Sequence, residues 1–165
     1  MAIIGSNTIG GTTDNWNNDQ YIGTRFTAPV SGIISTIWVY VADAYGGGFN
    51  TFSTSVYAVT SSLPSTLLST GSGAPLSNTL GWQSCSITPM SVVAGTEYYL
   101  NVWGEVAITV AYDAGSTNQM YDRYFVTYNA WDSPFSGTNY NQSSRQYSIY
   151  ADIVSSGVTT AWLTV

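Results

Sequence analysis

Apolar residues in this chain recur mainly with a period of two, which places alternate side chains on opposite faces of a β-strand. Within residues 33–41, this alternation predicts that Ile33, Ile37, Val39 and Val41 share one face. Residues 97–103 and 106–112 alternate in the same way. We therefore expect strands to be the main element of the fold.

The segments between these runs are rich in residues that form turns. Gly104 and Glu105 separate two alternating runs and predict a tight hairpin turn. Clusters of Gly, Pro, Ser and Ala separate the other runs, and no amphipathic helix of ten residues is present. This arrangement predicts an all-β fold, an antiparallel β-sandwich of the jelly-roll type.

The predicted core consists of the inward positions of the alternating runs. These positions are Ile22, Phe26, Ile37, Val39, Val41, Val56, Ala58, Ile87, Tyr98, Leu100, Val102, Ile108, Val110, Tyr147 and Ile149.

The 165 residues are expected to form one domain. We predict a single β-sandwich over residues 1–153 with a long aromatic loop at 114–144, followed by a C-terminal strand extension at 154–165. The longest apolar stretch, residues 33–44, is too short and too polar to span a membrane, so no membrane insertion is expected. Residues 1–5 lack the basic and extended apolar regions of a signal peptide. The chain is therefore either used without Sec export or a mature segment that begins with Met-Ala.

Composition narrows the possible functions. Charged residues make up 7% of the chain, with three Arg, no Lys, no His and a net charge of -6. Clustered cations that would neutralise phosphate are absent, so nucleic acid is not an expected partner. Without His, neither Ser–His nor Cys–His activation is available, and a single Cys excludes a thiolate zinc cage. A carboxylate pair remains formally available, and Asp113 and Asp122 in an open cleft would suit it, but we expect no enzyme.

The chain contains several short motifs: residues 25–32 with the strand that ends at 39–41, and residues 63–70, 92–100, 112–115 and 145–151. In this order they resemble a family of small jelly-roll modules. Members of that family occur in bacterial surface proteins, in proteins with appended carbohydrate-binding modules, and in phage or virion-like proteins. The resemblance covers roughly residues 5 to 153, and the chain departs from it after Ala151. It implies a non-catalytic β-sandwich that binds or displays.

Two aromatic sets are candidate ligand surfaces, because aromatic faces stack on the C–H faces of pyranose rings. The first set lies in the loop 114–144, and its alternative role is to pack as a plug on the end of the sandwich. The second set lies on the outward faces of strands, and its alternative is to be covered by that loop or by another subunit. The loop set is Tyr121, Tyr124, Tyr128, Trp131 and Tyr140; the strand set is Trp38, Tyr40, Tyr99, Trp103 and Tyr150.

Asp14, Asn17 and Asp19 form an oxygen-rich segment that could hold a structural Ca²⁺ ion. The segment lacks the Gly and the bidentate Glu of an EF-hand loop. Asx-rich turns also form without a metal, because their side chains cap their own backbone. Calcium is thus a possible cofactor, and no other is predicted.

The two ends of the chain are apolar and are candidates for assembly. Residues 158–165 are β-branched, aromatic and uncharged, and the chain has no Lys to protect an exposed edge. The segment could complete its own sheet or pair with a neighbouring subunit. The candidate assembly residues are Ile3, Ile4, Val158, Trp162 and Leu163.

Together these features predict a non-catalytic structural or adhesive subunit of a virion, filament or cell surface that assembles through its terminal strands. The alternative is a carbohydrate-binding module that recognises a glycan through loop aromatics. Expected partners are copies of itself, other assembly subunits, or a polysaccharide or cell-surface glycan. The expected location is extracellular or on a virion surface.

Overall fold

The structure is a computed structural model that describes residues 1–17, 19–44, 50–76, 80–124, 126–135 and 138–155, without the side chains of Ala44 and Ser72. These residues form two antiparallel sheets that pack face to face. The first sheet contains β1 (Ala2–Gly5), β2 (Thr12–Trp16), β4 (Gly32–Ala44), β7 (Gly81–Val92), β9 (Ile108–Ala114), β12 (Arg145–Tyr147) and β13 (Ile149–Ile153). The second contains β3 (Gln20–Thr27), β5 (Thr51–Thr60), β6 (Leu63–Pro75), β8 (Glu97–Gly104), β10 (Met120–Tyr124) and β11 (Tyr140–Ser143).

The predicted all-β, antiparallel sandwich is confirmed, whereas the jelly-roll topology stays a prediction. The second sheet has the order β11-β10-β3-β8-β5-β6. In the first sheet, β13 lies between β1 and β4, and β7 pairs with the other edge of β4. No helix in the described part of the chain is long and apolar enough to cross a membrane.

The main core lies between the two sheets, where the inward side chains of both meet. All the predicted core residues are buried except Ala58, which is half-buried. Ile33 was predicted to face inward, which is wrong: Ile33 is 41% exposed and Ile34 is completely buried. An irregularity in the pairing of β4 with β7 between Ile34 and Thr36 causes the difference, because a bulge shifts the alternation by one residue.

The predicted hairpin at Gly104 and Glu105 is also wrong. β8 pairs with β3 and β5 in the second sheet, whereas β9 pairs with β2, β4 and β12 in the first. The chain therefore crosses from one sheet to the other after Gly104. The amide of Glu105 donates to the carbonyl of Thr51 at 2.9 Å, which ties the crossing to β5.

The predicted loop at 114–144 contains two strands, which corrects that boundary. β10 pairs with β3 on one side and with β11 on the other, so this segment extends the second sheet.

Residue 154, which was predicted to begin the C-terminal extension, still belongs to the first sheet. Val154 forms a bridge with Ile33, in which each amide donates to the other residue's carbonyl at 2.8 and 2.9 Å.

Candidate functional site: two aromatic faces

The outer face of the second sheet carries an aromatic layer that is sealed from solvent. Its five completely buried members are Tyr21, Tyr57, Tyr99, Trp103 and Tyr121. Side chains that follow β10 along the chain pack on this layer: Val126, Tyr128, Trp131 and Phe135. We call this covering segment, residues 126–135, the plug.

Trp131 is the central contact of the plug. Its ring centroid lies 4.8 Å from that of Tyr21 and 5.2 Å from that of Trp103, and both contacts are tilted or edge-on. Its indole nitrogen donates to Asn129 Oδ1 at 3.2 Å, so its polar atom is used within the plug. Tyr128 adds an edge contact with Trp103 at 5.7 Å. The packing alternative thus accounts for Trp131 and Tyr128.

Polar contacts fix the plug to the sheet. Tyr57 Oη donates to the carbonyl of Asp132 at 2.6 Å, and Arg123 Nε forms an ion pair with the carboxylate of Asp132 at 2.8 Å. The amide of Phe135 donates to the carbonyl of Ser65 at 2.9 Å. These contacts make the plug part of the folded structure.

Tyr121 cannot serve as the predicted ligand-binding residue, because its side chain is completely buried. The alternation of β10 directs Tyr121 into the aromatic layer, where it makes an edge contact with Tyr99 at 4.9 Å. Tyr124 and Tyr140 are half-buried, and ligand binding through them stays a prediction.

Burial determines the acid–base state of this layer. Desolvation raises the pKa of Tyr99 to about 12. It also raises the pKa values of Tyr21, Tyr57 and Tyr121 well above the ordinary value. These phenols therefore stay neutral across the physiological range, as expected for packing groups.

The outer face of the first sheet carries a second aromatic set. Trp38 and Tyr40 come from β4, Trp82 comes from β7 and Tyr150 comes from β13, and all four are half-buried. We call these four residues the aromatic platform. Strand alternation explains the arrangement, because the intervening residues of each strand point into the core.

Cross-strand register brings the platform rings together. Tyr150 is opposite Trp38 and Tyr40 is opposite Trp82. The Trp38 and Tyr150 centroids are 6.2 Å apart with planes 10° from parallel. Trp82 contacts Tyr150 at 5.0 Å and Tyr40 at 5.6 Å, both edge to face. The rings therefore restrain one another in one continuous surface patch.

Backbone and polar residues complete the platform. Gly5 pairs with Tyr150 and has a φ of 113°. A Cβ atom at Gly5 would collide with the backbone of Ile149 and with Tyr150, so glycine allows β1 to approach closely beneath this ring. Exposed hydroxyl groups of Ser84 and Ser86 extend outward from β7 beside the platform.

The outward set predicted from sequence is thus divided between two surfaces. Tyr99 and Trp103 belong to the sealed layer, whereas Trp38, Tyr40 and Tyr150 belong to the platform. The predicted set did not include Trp82. Within residues 82–87, Trp82 lies on the strand face opposite to the buried Cys85 and Ile87. This alternation was the signal that could have placed Trp82 on the outward face.

The positively charged side chains lie outside the platform, in ion pairs. Arg25 lies 3.5 Å from Glu97, Arg123 binds Asp132, and Arg145 forms an ion pair with Asp14. Burial first, and then the negative charge of Asp152 on the same strand, raise the pKa of Tyr150. The platform is therefore suited to neutral rather than anionic ligands.

Asp14, one of the predicted calcium ligands, makes polar contacts within the fold. Its carboxylate pairs with Arg145 and accepts a hydrogen bond from Tyr147 Oη at 3.0 Å. The carbonyl of Asn17 accepts from the amide of Gln20 at 3.1 Å, which closes a local turn. Among the described residues, no three His, Cys, Asp or Glu side chains lie close enough together to hold a metal. Calcium at Asp14, Asn17 and Asp19 stays a prediction.

The carboxylates of Asp113 and Asp122 are not exposed to a common cleft. Asp122 is buried and accepts from Asn141 Nδ2 at 3.3 Å, whereas Asp113 is exposed on the other sheet and accepts from the amide of Gly11 at 2.9 Å. The arrangement that would favour catalysis by this pair is therefore not formed.

The candidate assembly residues separate into three groups. Ile4 is completely buried in the core of its own chain, so its predicted role in assembly is wrong. Ile3 is half-buried on the outer face of β1, opposite Asp152. Val158, Trp162 and Leu163 lie outside the described residues.

No protein-family model matches the chain, and no curated protein sequence matches it significantly. The functional interpretation therefore depends on the geometry of its surfaces.

Proposed function

We propose that this chain is a non-catalytic β-sandwich module that adheres to neutral polysaccharide through the aromatic platform. The observation that supports the proposal is the contrast between its two aromatic faces. The aromatic layer of the second sheet is covered by the plug, whereas Trp38, Tyr40, Trp82 and Tyr150 remain partly accessible. Large aromatic groups that stay accessible on a folded surface commonly mark a binding site.

The chemistry of the platform favours a carbohydrate. Indole and phenol rings present apolar faces on which the C–H faces of pyranose rings pack, and the neighbouring hydroxyl groups of Ser84 and Ser86 can exchange hydrogen bonds with sugar hydroxyls. The rings contact one another at 5.0–6.2 Å across three strands, so little side-chain entropy is lost on binding. A rigid sheet face of this kind suits an extended chain of sugars.

Electrostatics restricts the class of polysaccharide. Sulfated or uronic acid polymers need cations, but the three Arg side chains form ion pairs away from the platform. The carboxylate of Asp152 beside Tyr150 would repel an anionic chain. We therefore assign neutral glycans to the platform, in keeping with an extracellular or virion surface protein.

Pull-down on insoluble neutral polysaccharides such as cellulose, chitin and xylan, together with a glycan array, tests the proposal. Trp82→Ala and Tyr150→Ala are expected to reduce retention at least about tenfold, because each removes a stacking surface. Tyr124→Ala and Tyr140→Ala are matched controls, since both are half-buried aromatics on β10 and β11, at one edge of the second sheet.

The control variants also separate the two glycan hypotheses. Loss of binding in Tyr124→Ala or Tyr140→Ala with retention in Trp82→Ala would assign recognition to the segment around the plug and contradict the platform. Absence of binding by the parent protein to every neutral polysaccharide would contradict glycan adhesion altogether. Thermal melting of each variant would establish that it remains folded.

A further inference from the structure

One end of the sandwich carries an apolar groove at the point where the C-terminal segment leaves the fold. The groove has a volume of about 580 Å³, and we call it the terminal groove. Its lining includes Met1, Ala2, Val30, Ile153, Val154 and Ser155. The groove is large enough for several apolar side chains.

Exposed apolar side chains concentrate around this groove. Met1 is 95% exposed, Val154 55%, Ile33 41% and Val30 40%. Val93, also exposed, lies close by. The next residue, Ala94, donates its amide at 2.9 Å to the hydroxyl of Ser31, which also lines the groove. Most of the large exposed apolar residues in the described part of the chain therefore lie at one end of the molecule, and such a patch marks an interaction surface.

The chain itself supplies a segment that matches the groove. Ser155 lines the groove, and residues 158–165 follow after Ser156 and Gly157. These residues read Val-Thr-Thr-Ala-Trp-Leu-Thr-Val, which is apolar, β-branched and without charged side chains. We call residues 158–165 the tail.

Pairing within β13's own sheet leaves no place for the tail beside β13. β1 pairs with one side of β13, through Ala2 opposite Ile153, and β4 pairs with the other side. The bridge between Ile33 and Val154 extends this second pairing to the end of the strand. A hairpin that turned back along β13 would have to displace one of these strands. β1 is an edge strand at this end, but it has only four residues, so its free edge could pair with only part of the tail.

We propose that the tail of one copy occupies the terminal groove of a second copy and that the two copies exchange tails reciprocally. The groove and the origin of the tail lie at the same end of the molecule, so two copies that face each other satisfy both contacts and close the assembly. Backbone pairing and burial of the apolar side chains act together in such a strand exchange. The dimer carries two aromatic platforms, although its formation does not require that either binds a ligand.

The mass of the full chain in solution tests this proposal. Light scattering after size-exclusion chromatography is expected to give twice the 17.7 kDa chain mass. A variant without residues 156–165 is expected to be a monomer with a cooperative melting transition. A monomeric full chain, or a shortened chain that still dimerises, would overturn the proposal.

A matched pair of substitutions tests the groove itself. Val154→Asp places a charge in the groove and is expected to weaken the dimer at least about tenfold. Ile9→Asp is the control, because Ile9 has a similar exposure, 51%, and is not among the groove residues. Equal dimer affinity in the two variants would contradict docking at the groove.

Cross-linking distinguishes exchange between copies from folding back within one copy. In a Val30→Cys, Leu163→Cys variant, oxidation is expected to give a covalent dimer on a non-reducing gel; Cys85 is buried and does not compete. A cross-link confined to single chains, or no cross-link, would contradict exchange. Because neither this test nor the mass measurement involves glycan, their failure is distinguishable from failure of the platform proposal.

Discussion

The phenol of Tyr150 and the indole of Trp38 lie side by side on neighbouring strands, with centroids 6.2 Å apart and planes 10° from parallel. They are direct cross-strand partners in the pairing of β13 with β4. Two large aromatic groups thus interact on a sheet face that no described strand covers. This pair links sheet stability with the proposed binding surface.

We expect this pair to contribute to stability as well as binding. A double-mutant cycle of Trp38→Ala and Tyr150→Ala should give a coupling energy of about 0.5–1 kcal/mol in the free energy of unfolding. Urea denaturation at pH 7 provides the measurement. The pair Trp38→Ala and Tyr112→Ala, whose members have no ring contact with each other, should be additive; equal coupling in both cycles would contradict a direct interaction.

Trp131→Ala should destabilise the protein without removing glycan binding. Trp131 packs on Tyr21 and Trp103, so its loss opens the sealed layer and should lower the free energy of unfolding by about 2–3 kcal/mol. Urea denaturation measures the first effect, and pull-down below the melting temperature measures the second. Loss of binding by a folded Trp131→Ala variant would instead support recognition through the plug.

Alkaline pH should destabilise the sealed aromatic layer. Burial raises the pKa of Tyr99 from its ordinary value of 10 to about 12, so the unfolded chain releases this proton more readily than the folded one. The stability contribution is complete below pH 10 and is lost as the pH rises through 12. Absorbance at 295 nm should show that the buried tyrosines of the sealed layer ionise only when the protein unfolds. Ionisation of every tyrosine near pH 10 in a folded protein would refute the prediction.

Asp122 should produce a pH effect in the acidic range. Desolvation raises the pKa of its carboxyl group, so the folded state binds its proton more tightly than the unfolded state. Stability should therefore fall as the pH rises from the ordinary aspartate pKa through the raised value. Asp122→Asn should remove this dependence and be at least as stable at pH 7, because Asn141 can still donate to the new amide oxygen. Urea denaturation between pH 3 and 7 measures it, with exposed Asp113→Asn as the control.

The alternation of residues by itself determined the strands and most of their inward faces. Tyr98, Leu100 and Val102 are buried as their spacing predicted, since the period of two is a local property of an extended backbone. Local spacing could not reveal the bulge that leaves Ile33 exposed and places Ile34 in the core. Nor could it decide that β8 and β9 lie in different sheets, because pairing depends on residues far apart in the chain.

Only the tertiary structure decided which aromatic residues remain accessible. Trp103 and Trp38 occupy equivalent outward positions in alternating strands, yet Trp103 is completely buried and Trp38 is half-buried. The difference arises because the plug, anchored through Asp132 to Arg123 and Tyr57, covers one sheet and not the other. Alternation specifies the face on which a side chain lies, but the exposure of that face depends on which distant segment packs against it.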